Sequence, residues 1–437
     1  MAAIIDYRGK SPEKTKHGIP LITAKIVKGG RVERPEEFIA ETAYNDWMRR
    51  GMPLPGDVVM TMEAPLGEVA QLDGRKVALA QRVITLRGKP DLLDNTFLKF
   101  LLQSTSVQNE LQARGTGTTV VGIRQSELRK ITLTFPPLAA QRAIAATLEG
   151  LDSKIELNQR MNATLEAMAR TLFQSWFVDF DPVRAKIDGR ALGGLDAATA
   201  ALFPEHFKHG DDDLLPVDWR RAAIEDVCAI NAWTLGRNDD WQNLEYVEIS
   251  EVSRGDIANV STYSRGDEPS RARRRLRHGD TVLSTVRPDR GSYFLALNPP
   301  ENRVASTGFA VLTPSTVPWS FLYAALTQPE VSDHLGQMAD GGAYPAVRPE
   351  IIGAMQVALP NEPGILDAFH RICAPLLVRA ESNRAESRTL ATLRDTLLPK
   401  LLSGELRVPD SVIGNNGAAA INGVMPDAPV ESRGTAP

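Results

Sequence analysis

Few residues of this chain are arranged in a way that could carry out catalysis. Asn298-Pro299-Pro300 begins the kind of Asn-Pro-Pro-aromatic sequence that holds an amine during methyl transfer, but Glu301 stands at the aromatic position. The sequence has no strand followed by a Gly-x-Gly loop for a methyl donor, and no Gly-x-x-x-x-Gly-Lys-Ser/Thr loop for phosphate. Residues 298–300 are therefore interpreted as a proline turn.

Metal and nucleophile chemistry are also poorly represented. His206 and His209 could be two zinc ligands, but no third ligand lies near them in the sequence. Asp179 and Asp181 are interpreted as surface acids at a helix end, and the six histidines have no serine or cysteine partners in a recognisable order. The sequence predicts a chain that is not catalytic by itself and that binds no metal or cofactor.

Basic residues are instead concentrated in two stretches, although the formal net charge of the chain is −4. Residues 8–34 contain eight basic and two acidic residues, and residues 271–277 contain five arginines and no acid. Such residues can neutralise DNA phosphates and position a protein on the duplex; a solvated surface is the alternative. The candidates for phosphate contact are Lys10, Lys14, Lys16, Lys25, Lys28, Arg271, Arg273, Arg274 and Arg275.

A second group of residues could read bases. Arginine and glutamine can each make two hydrogen bonds to one base edge, arginine to guanine and glutamine to adenine. A glycine-threonine loop at residues 115–122 could also approach DNA closely through its backbone, although a plain turn explains it nearly as well. The base-reading candidates are Arg124, Gln125, Arg287, Arg290 and Arg348.

These candidates lie in two segments of the chain that form an internal sequence repeat. The offset along the chain from Gly56 to Gly279 is nearly the same as the offset from Asn158 to Asn383. A repeat of this length indicates duplicated domains, because the units of a solenoid are only about 20–50 residues long. Two similar domains suit a ligand that offers two similar parts at a fixed separation.

Each copy ends in a long predicted helix with apolar residues seven apart, which is typical of a coiled coil. A helix packed on its own domain is the alternative. Asn158 and Asn162 stand in the seam, where a buried asparagine can fix the register; a tolerated polar edge is the other interpretation. Because Ser387 stands where a match to Asn162 would, Asn158 and Asn383 are the expected pair. The predicted helix-pairing residues are Leu151, Ile155, Asn158, Asn162, Leu165, Leu172, Leu376, Asn383, Leu390 and Leu397.

The bulk composition sets the remaining limits. A chain of 437 residues with 43% hydrophobic and 24% charged residues suits two or more globular domains. Two cysteines cannot form a disulfide framework, so a reducing cytoplasm is expected. A membrane helix needs an apolar run of about 18 residues or more. The sequence contains neither such a run nor a secretion signal, so no membrane association is expected.

The two copies differ at their amino-terminal ends. The second copy has about ten residues, 215–226, before its first shared strand, and the first copy has almost none. Either the true start lies upstream, or the first domain lacks an edge segment that the second domain uses.

Several motifs resemble those of the specificity subunit of type I restriction-modification enzymes, and the resemblance extends to about residue 408. The motifs are Gly115-Thr116-Gly117-Thr118-Thr119-Val120-Val121-Gly122-Ile123, Pro136-Pro137-Leu138-Ala139-Ala140-Gln141-Arg142, Leu165-Glu166-Ala167-Met168-Ala169-Arg170, Ser175-Trp176-Phe177-Val178-Asp179-Phe180-Asp181-Pro182 and Leu397-Leu398-Pro399-Lys400-Leu401-Leu402-Ser403-Gly404.

The resemblance implies an α+β fold in which two target recognition domains are separated by two long helices packed as an antiparallel coiled coil, with a pseudo-twofold internal repeat. The expected parts are target recognition domain 1 (1–137), a central helical region (138–181), a linker (182–214), target recognition domain 2 (215–362), a carboxyl-terminal helical region (363–408) and a disordered tail (409–437).

The resemblance also implies the partners. They are double-stranded DNA with a bipartite site, modification (methyltransferase) subunits and an ATP-dependent restriction subunit. S-adenosylmethionine, ATP and Mg are expected on those partner subunits and not on this chain. A helix over residues 150–178 would span about 44 Å, or roughly 13 base pairs, which is enough for two half-sites and an unread gap.

Overall fold

The computed structural model of the chain describes residues 1–7, 11–117, 120–191, 193–208, 214–236, 239–342 and 344–408. These residues form two units, one of residues 1–156 with the residues from 388 onward, and one of residues 157–387. The two long helices, Leu138–Phe173 and Pro363–Ser403, each contribute to both units. The boundary between the units therefore falls inside the helices. The domain ends expected at residues 137 and 362 remain a prediction, and the two helices begin at the residues that follow them, Leu138 and Pro363. The expected tail, 409–437, lies outside the described residues.

The first unit is a mixed structure of short strands and helices. Its helices are α1 (Tyr44–Trp47), α2 (Asn95–Gln103), α3 (Thr105–Arg114), α4 (Gln125–Leu128) and the first part of α5 (Leu138–Phe173). Its strands are β1 (Ala3–Asp6), β2 (Ile19–Ile22), β3 (Val27–Lys28), β4 (Arg31–Val32), β5 (Phe38–Ile39), β6 (Val58–Met62), β7 (Leu66–Gln71), β8 (Ala78–Leu79) and β9 (Val83–Arg87).

The second unit contains the rest of the ordered elements. Its helices are α6 (Asp181–Ile187), α7 (Ala197–Leu202), α8 (Trp319–Leu326), α9 (Pro329–Gln337), α10 (Pro349–Gly353) and part of α11 (Pro363–Ser403). Its strands are β10 (Trp219–Ala223), β11 (Cys228–Ile230), β12 (Asn243–Val247), β13 (Val252–Ser253), β14 (Asp256–Ile257), β15 (Ser261–Ser264), β16 (Ala272–Arg275), β17 (Asp280–Ser284), β18 (Tyr293–Ala296), β19 (Arg303–Ser306), β20 (Phe309–Pro314) and β21 (Gln356–Pro360).

The two units have the same strand topology. The four-stranded antiparallel sheet has the order β1-β9-β6-β7 in the first unit and β11-β20-β17-β18 in the second. A second group of strands also recurs, because β2 is parallel to β8 and antiparallel to β5, as β12 is to β19 and β15. The α+β class and the internal repeat predicted from the sequence are therefore confirmed.

Burial explains the position of each sheet. Every residue of β6 and every residue of β17 is buried, as expected for a central strand that is covered on both faces. Met60 of β6 belongs to one apolar cluster and Val59 to another. Helix α2 covers the first sheet and is capped by Asp94, whose side chain accepts a hydrogen bond from the Phe97 amide. In the second unit α8 takes this place, and its residues Ser320–Leu326 are all buried.

Residues 182–214, expected to be a linker, are partly folded. Helices α6 and α7 form there, and Val183 and Phe203 lie in the core of the second unit. Phe203 packs edge-on against Trp176, with ring centroids 5.1 Å apart. The acidic run 211–213 and His209 lie outside the described residues. This segment is therefore part of the second unit, because its aromatic side chains complete that core.

The first unit differs from the second at one sheet edge. Residues 131–135 contain a single bridge residue, Leu133, and no strand within the described part of the chain, whereas the equivalent β21 pairs with β10 over five residues. An apolar cavity of about 70 Å³ borders residues 131–135, lined in part by Met1, Ile4 and Leu128. In the second unit Ala222 and Ile224, on and after β10, are buried in the core. Among the described residues, the five-residue ladder at this edge therefore belongs to the second unit.

This difference predicts unequal backbone protection. Amide hydrogens of residues 356–360 should exchange with solvent more slowly than those of residues 131–135, because the former lie in a five-residue ladder and the latter contain only one bridge residue, Leu133. Hydrogen–deuterium exchange followed by mass spectrometry measures both segments in one experiment, with the central strands β6 and β17 as equally protected references. Equal protection of the two segments would contradict the difference between the units.

Candidate nucleic-acid interface and the paired helices

Buried asparagines join the two long helices. In the second unit Asn158 donates through Nδ2 to the Glu386 carboxylate at 2.8 Å and lies 3.3 Å from the Asn383 carbonyl oxygen. Asn383 donates to the Asn162 amide oxygen at 2.9 Å. The structure thus brings together the three asparagines of the predicted seam. From Asn158 to Asn162 on α5, the contacted residue on α11 moves back from Glu386 to Asn383. The two helices therefore run antiparallel.

The apolar seam lies partly at other positions than the sequence pattern predicts. Ile155 is buried as expected, but Leu151 and Leu165 are only half-buried, and Asp152 and Glu166 are buried beside them. Four further predicted positions are also only half-buried, namely Leu172, Leu376, Leu390 and Leu397. The predicted positions Asn158, Asn162 and Asn383 are buried, whereas beside several predicted leucines the next residue in the chain is the buried one.

The buried Glu166 carboxylate forms an ion pair with Arg384 in the second unit. The two side chains are 9% and 8% exposed. Burial acts to lower the pKa of Arg384, but the negative charges of Glu166 and Glu381 and the nearby Tyr323 raise the pKa overall. The guanidinium therefore stays charged inside the unit.

A strand hairpin rests on this ion pair. Gly255, in the turn between β13 and β14, has φ +89°, and a Cβ there would lie 2.6 Å from the Arg384 guanidinium. Only glycine allows both the left-handed backbone and this close approach. The ion pair therefore fixes the position of the hairpin on the helices.

The first unit has an equivalent arrangement with different residues. Lys99, 4% exposed, forms ion pairs with Glu149 at 2.7 Å and Asp152 at 3.3 Å, and Arg394 of α11 contacts Asp152 at 2.9 Å. The hairpin of β3 and β4 rests here, since Arg31 donates to the Asp152 carbonyl oxygen at 3.0 Å. Each unit therefore anchors a hairpin on a buried charge cluster of the paired helices.

The lysines predicted to contact phosphate are largely paired with acids in the first unit. Lys14 contacts Glu37 at 2.8 Å, Lys25 contacts Glu36 at 3.0 Å and Lys28 contacts Glu33 at 3.6 Å. Lys16 is exposed, and Lys10 lies outside the described residues. The positive charge of this stretch is therefore locally compensated, although exposed pairs of this kind are weak enough to exchange partners.

The arginines of β16 are compensated in a similar way. Arg273 contacts Glu268 at 3.4 Å and Arg275 contacts Asp239 at 2.7 Å. The Nε of Arg274 is buried with no hydrogen-bond partner in the described part of the chain, and burial lowers the pKa of this residue. Arg271 is exposed. Of the four candidates, Arg271 is the one best placed to meet a phosphate.

The predicted base-reading residues fall at equivalent places in the two units. Arg124 is exposed and immediately precedes α4, with Gln125 half-buried as the first residue of that helix. Arg348 is exposed and immediately precedes α10. Arg287 and Arg290 flank a short turn in the second unit, where Arg290 is exposed. The structure therefore groups these candidates around one loop in each unit.

Two aromatic residues beside arginines were missed by the sequence analysis. The Arg287 guanidinium lies 4.7 Å from the centre of the Tyr344 ring, and that of Arg277 lies 3.2 Å from the centre of the Trp233 ring. Both aromatic side chains are exposed. The available signal was the position of Tyr344, two residues after Gly342 and four before the candidate Arg348.

The described residues give no sign of a metal centre or a membrane helix. Within them no group of three or more His, Cys, Asp or Glu residues could hold a metal ion. None of the helices in that part of the chain is long and apolar enough to cross a membrane.

Comparison with known proteins identifies the relatives of this chain. Residues 9–167 match the type I restriction modification DNA specificity domain. The chain is 23% identical to the MjaIX specificity subunit of Methanocaldococcus jannaschii over 403 residues, covering 90% of this chain and 88% of that protein. It is 25% identical to the HindI specificity subunit of Haemophilus influenzae over 411 residues, covering 77% of this chain and 82% of that protein.

A solved structure is also similar. It is the type I restriction-modification S subunit from M. genitalium, with 16% identity, a TM-score of 0.49 and coverage of 92% of this chain and 93% of that one. The domain match and the full-length sequence relatives confirm the relationship that the sequence motifs predicted.

The buried ion pair generates a stability prediction. Arg384→Met leaves Glu166 buried without its main partner, so the free energy of unfolding should fall by about 3–5 kcal/mol. Adding Glu166→Leu removes the orphaned charge and should restore most of that loss. Urea unfolding of the wild type, both single variants and the double variant measures the effect. A double variant as unstable as Arg384→Met would show that the ion pair is not the cause.

Proposed function

We propose that this chain, as a type I restriction-modification specificity subunit, reads a bipartite site in double-stranded DNA, one half-site with each unit. The observation that carries the proposal is the repeat of strand topology in the two units, together with exposed arginines at equivalent loops. A duplicated scaffold with different loops suits two half-sites with different sequences, because base contacts specify sequence while the scaffold positions them.

The charge distribution supports recognition of the DNA sequence by a small number of side-chain contacts, and not by many contacts to phosphates. Lys14, Lys25 and Lys28 are paired with acids, and the whole chain has a net charge of −4. Non-specific binding to DNA depends on neutralising many phosphates. A chain with compensated charges gains little from random DNA, so exposed residues such as Arg124 and Arg348 contribute more to discrimination.

The catalytic steps belong to partners in this proposal. As a specificity subunit, the chain is the non-catalytic component of such an enzyme. Modification subunits would supply adenine methylation with S-adenosylmethionine, and a restriction subunit would supply ATP- and Mg-dependent translocation and cleavage. The paired helices α5 and α11 would hold the two half-site readers at a fixed separation.

Exchanging the recognition segment of one unit tests whether each unit reads its own half-site. Residues 227–355 replaced by the matching segment of a relative should change one half of the methylated motif and leave the other half unchanged. These end points lie between β10 and β21, so the pairing of those strands and the contacts of Phe203 with Trp176 and Trp219 are kept. Mapping of methylated adenines in cells carrying the complete enzyme gives the result.

The reciprocal exchange, of residues 2–130, is the matched control and should change only the other half. If either exchange altered both halves, the units would not be independent readers. Absence of any methylated motif with the wild-type enzyme would overturn the proposed function itself.

Helix length should set the unread spacer. Four residues inserted between Glu156 and Leu157, and four between Ser387 and Arg388, fall at the boundary of the two units on both helices. The contacts of Asp152 with Arg394 and of Asn158 with Glu386 then remain within their own units. Four residues add about 6 Å and about 1.1 turns, so the spacer should lengthen by one or two base pairs.

Both half-sites should stay the same in that variant, and methylome mapping reads the spacer directly. An insertion in only one helix is the control and should abolish activity, because the helices then lose register. An active paired variant with the original spacer would show that the helices do not measure the site.

A further inference from the structure

We propose that Tyr344, held by Arg287, is a specificity-determining residue of the second unit that packs its ring against a base of the half-site. The assignment rests on the proposed function. Three observations support it: the exposure of the Tyr344 ring, the contacts that hold its loop and ring, and the position of Tyr344 in the internal repeat.

The exposure of Tyr344 is unusual for an aromatic side chain. It is 72% exposed, more than any other large hydrophobic side chain in the described part of the chain. An aromatic ring left in water forgoes the stabilisation that burial gives, roughly 25 cal/mol for each Å². Exposed aromatic residues in rigid loops commonly serve binding, since a ring offers a large contact area at low entropic cost.

The loop that carries Tyr344 is held on both sides. Asp340 and Ala346 exchange backbone hydrogen bonds of 3.0 and 2.8 Å, and the Val347 amide donates to the Thr285 carbonyl oxygen at 2.9 Å. On the facing turn, the Arg287 amide donates to the Pro345 carbonyl oxygen at 2.7 Å. The ring therefore projects from a braced loop, so little freedom remains to be lost on binding.

Arg287 orients the ring and adds a charge beside it. Its guanidinium lies 4.7 Å from the ring centre, within the range of a cation–π contact, and its backbone is left-handed with φ +47°. A non-glycine residue in that conformation is uncommon and often marks a functional site. With the cation on one face, the opposite face is available to a base, and the positive charge suits DNA.

The first unit has an equivalent loop with a different exposed residue. Thr116 and Gly122 form the equivalent bridge, and Ala64 has φ +51° at the position that matches Arg287. Val120, 51% exposed, stands where Tyr344 stands in the second unit. The bridge that closes the loop and the left-handed residue that faces it are therefore common to both units, while the exposed side chain differs, as two readers of different half-sites require.

The test uses the complete methyltransferase, this chain with its modification subunits, and a duplex carrying the motif that it methylates in cells. Tyr344→Ala should weaken binding to that duplex roughly 5- to 150-fold, because the ring would contact a base edge in a groove and a good contact of that kind contributes about 1–3 kcal/mol. Binding to a scrambled duplex should not change. Tyr344→Phe keeps the ring and should bind as the wild type does.

Ile187→Ala is the matched control. Ile187 is also an exposed apolar residue, 52% exposed, but it ends α6 and lies outside the loop. Its substitution should leave both affinities unchanged, and thermal unfolding should be the same for all variants. Wild-type affinity of Tyr344→Ala for the motif duplex would overturn the assignment alone. A wild-type enzyme without preference for any duplex would overturn the proposed function as well.

Discussion

Buried hydrogen bonds between the two long helices fix the register on which the other elements depend. Asn158, Asn162 and Asn383 are buried and contact one another across the helix pair. A slip by one turn would leave these amides unsatisfied, at a cost of ~1–3 kcal/mol each, whereas an apolar seam tolerates slippage more readily. Because the hairpins rest on Asp152 and on the Glu166 ion pair, the register of the helices also positions the strands.

Much of the fold could be predicted because its signals are local or periodic. The duplication appears as a nearly constant offset, and the helices appear as a seven-residue pattern. The burial of the charged residues Asp152 and Glu166 beside the predicted leucines could not be predicted. A straight helix drifts by about 20° per heptad from a 3.5-residue repeat. In addition, Asp152 is buried because of Lys99 and Arg394, residues distant in sequence. Leu151 is consequently only half-buried.

The candidate site was less predictable, because charge counted along the sequence ignores partners brought by the fold. Lys25 belongs to a strongly basic stretch, but its partner Glu36 lies just beyond that stretch. Arg275 pairs with Asp239, which is 36 residues away. Strand pairing decides these contacts, and composition does not contain that information. The Tyr344–Arg287 contact is of the same kind, since it joins a loop to a turn that lies much earlier in the chain.

The repeat provides an internal comparison that separates structural from functional residues. At the hairpin turns both units use glycine: Gly30 and Gly255 each have positive φ beside a charged cluster, where a Cβ would come close to neighbouring side chains. Where the backbone is common but the exposed residue differs, as at Val120 and Tyr344, folding cannot explain the choice. Packing constrains both exposed tips only weakly, so the difference between them is compatible with loops that contact different half-sites, as we propose.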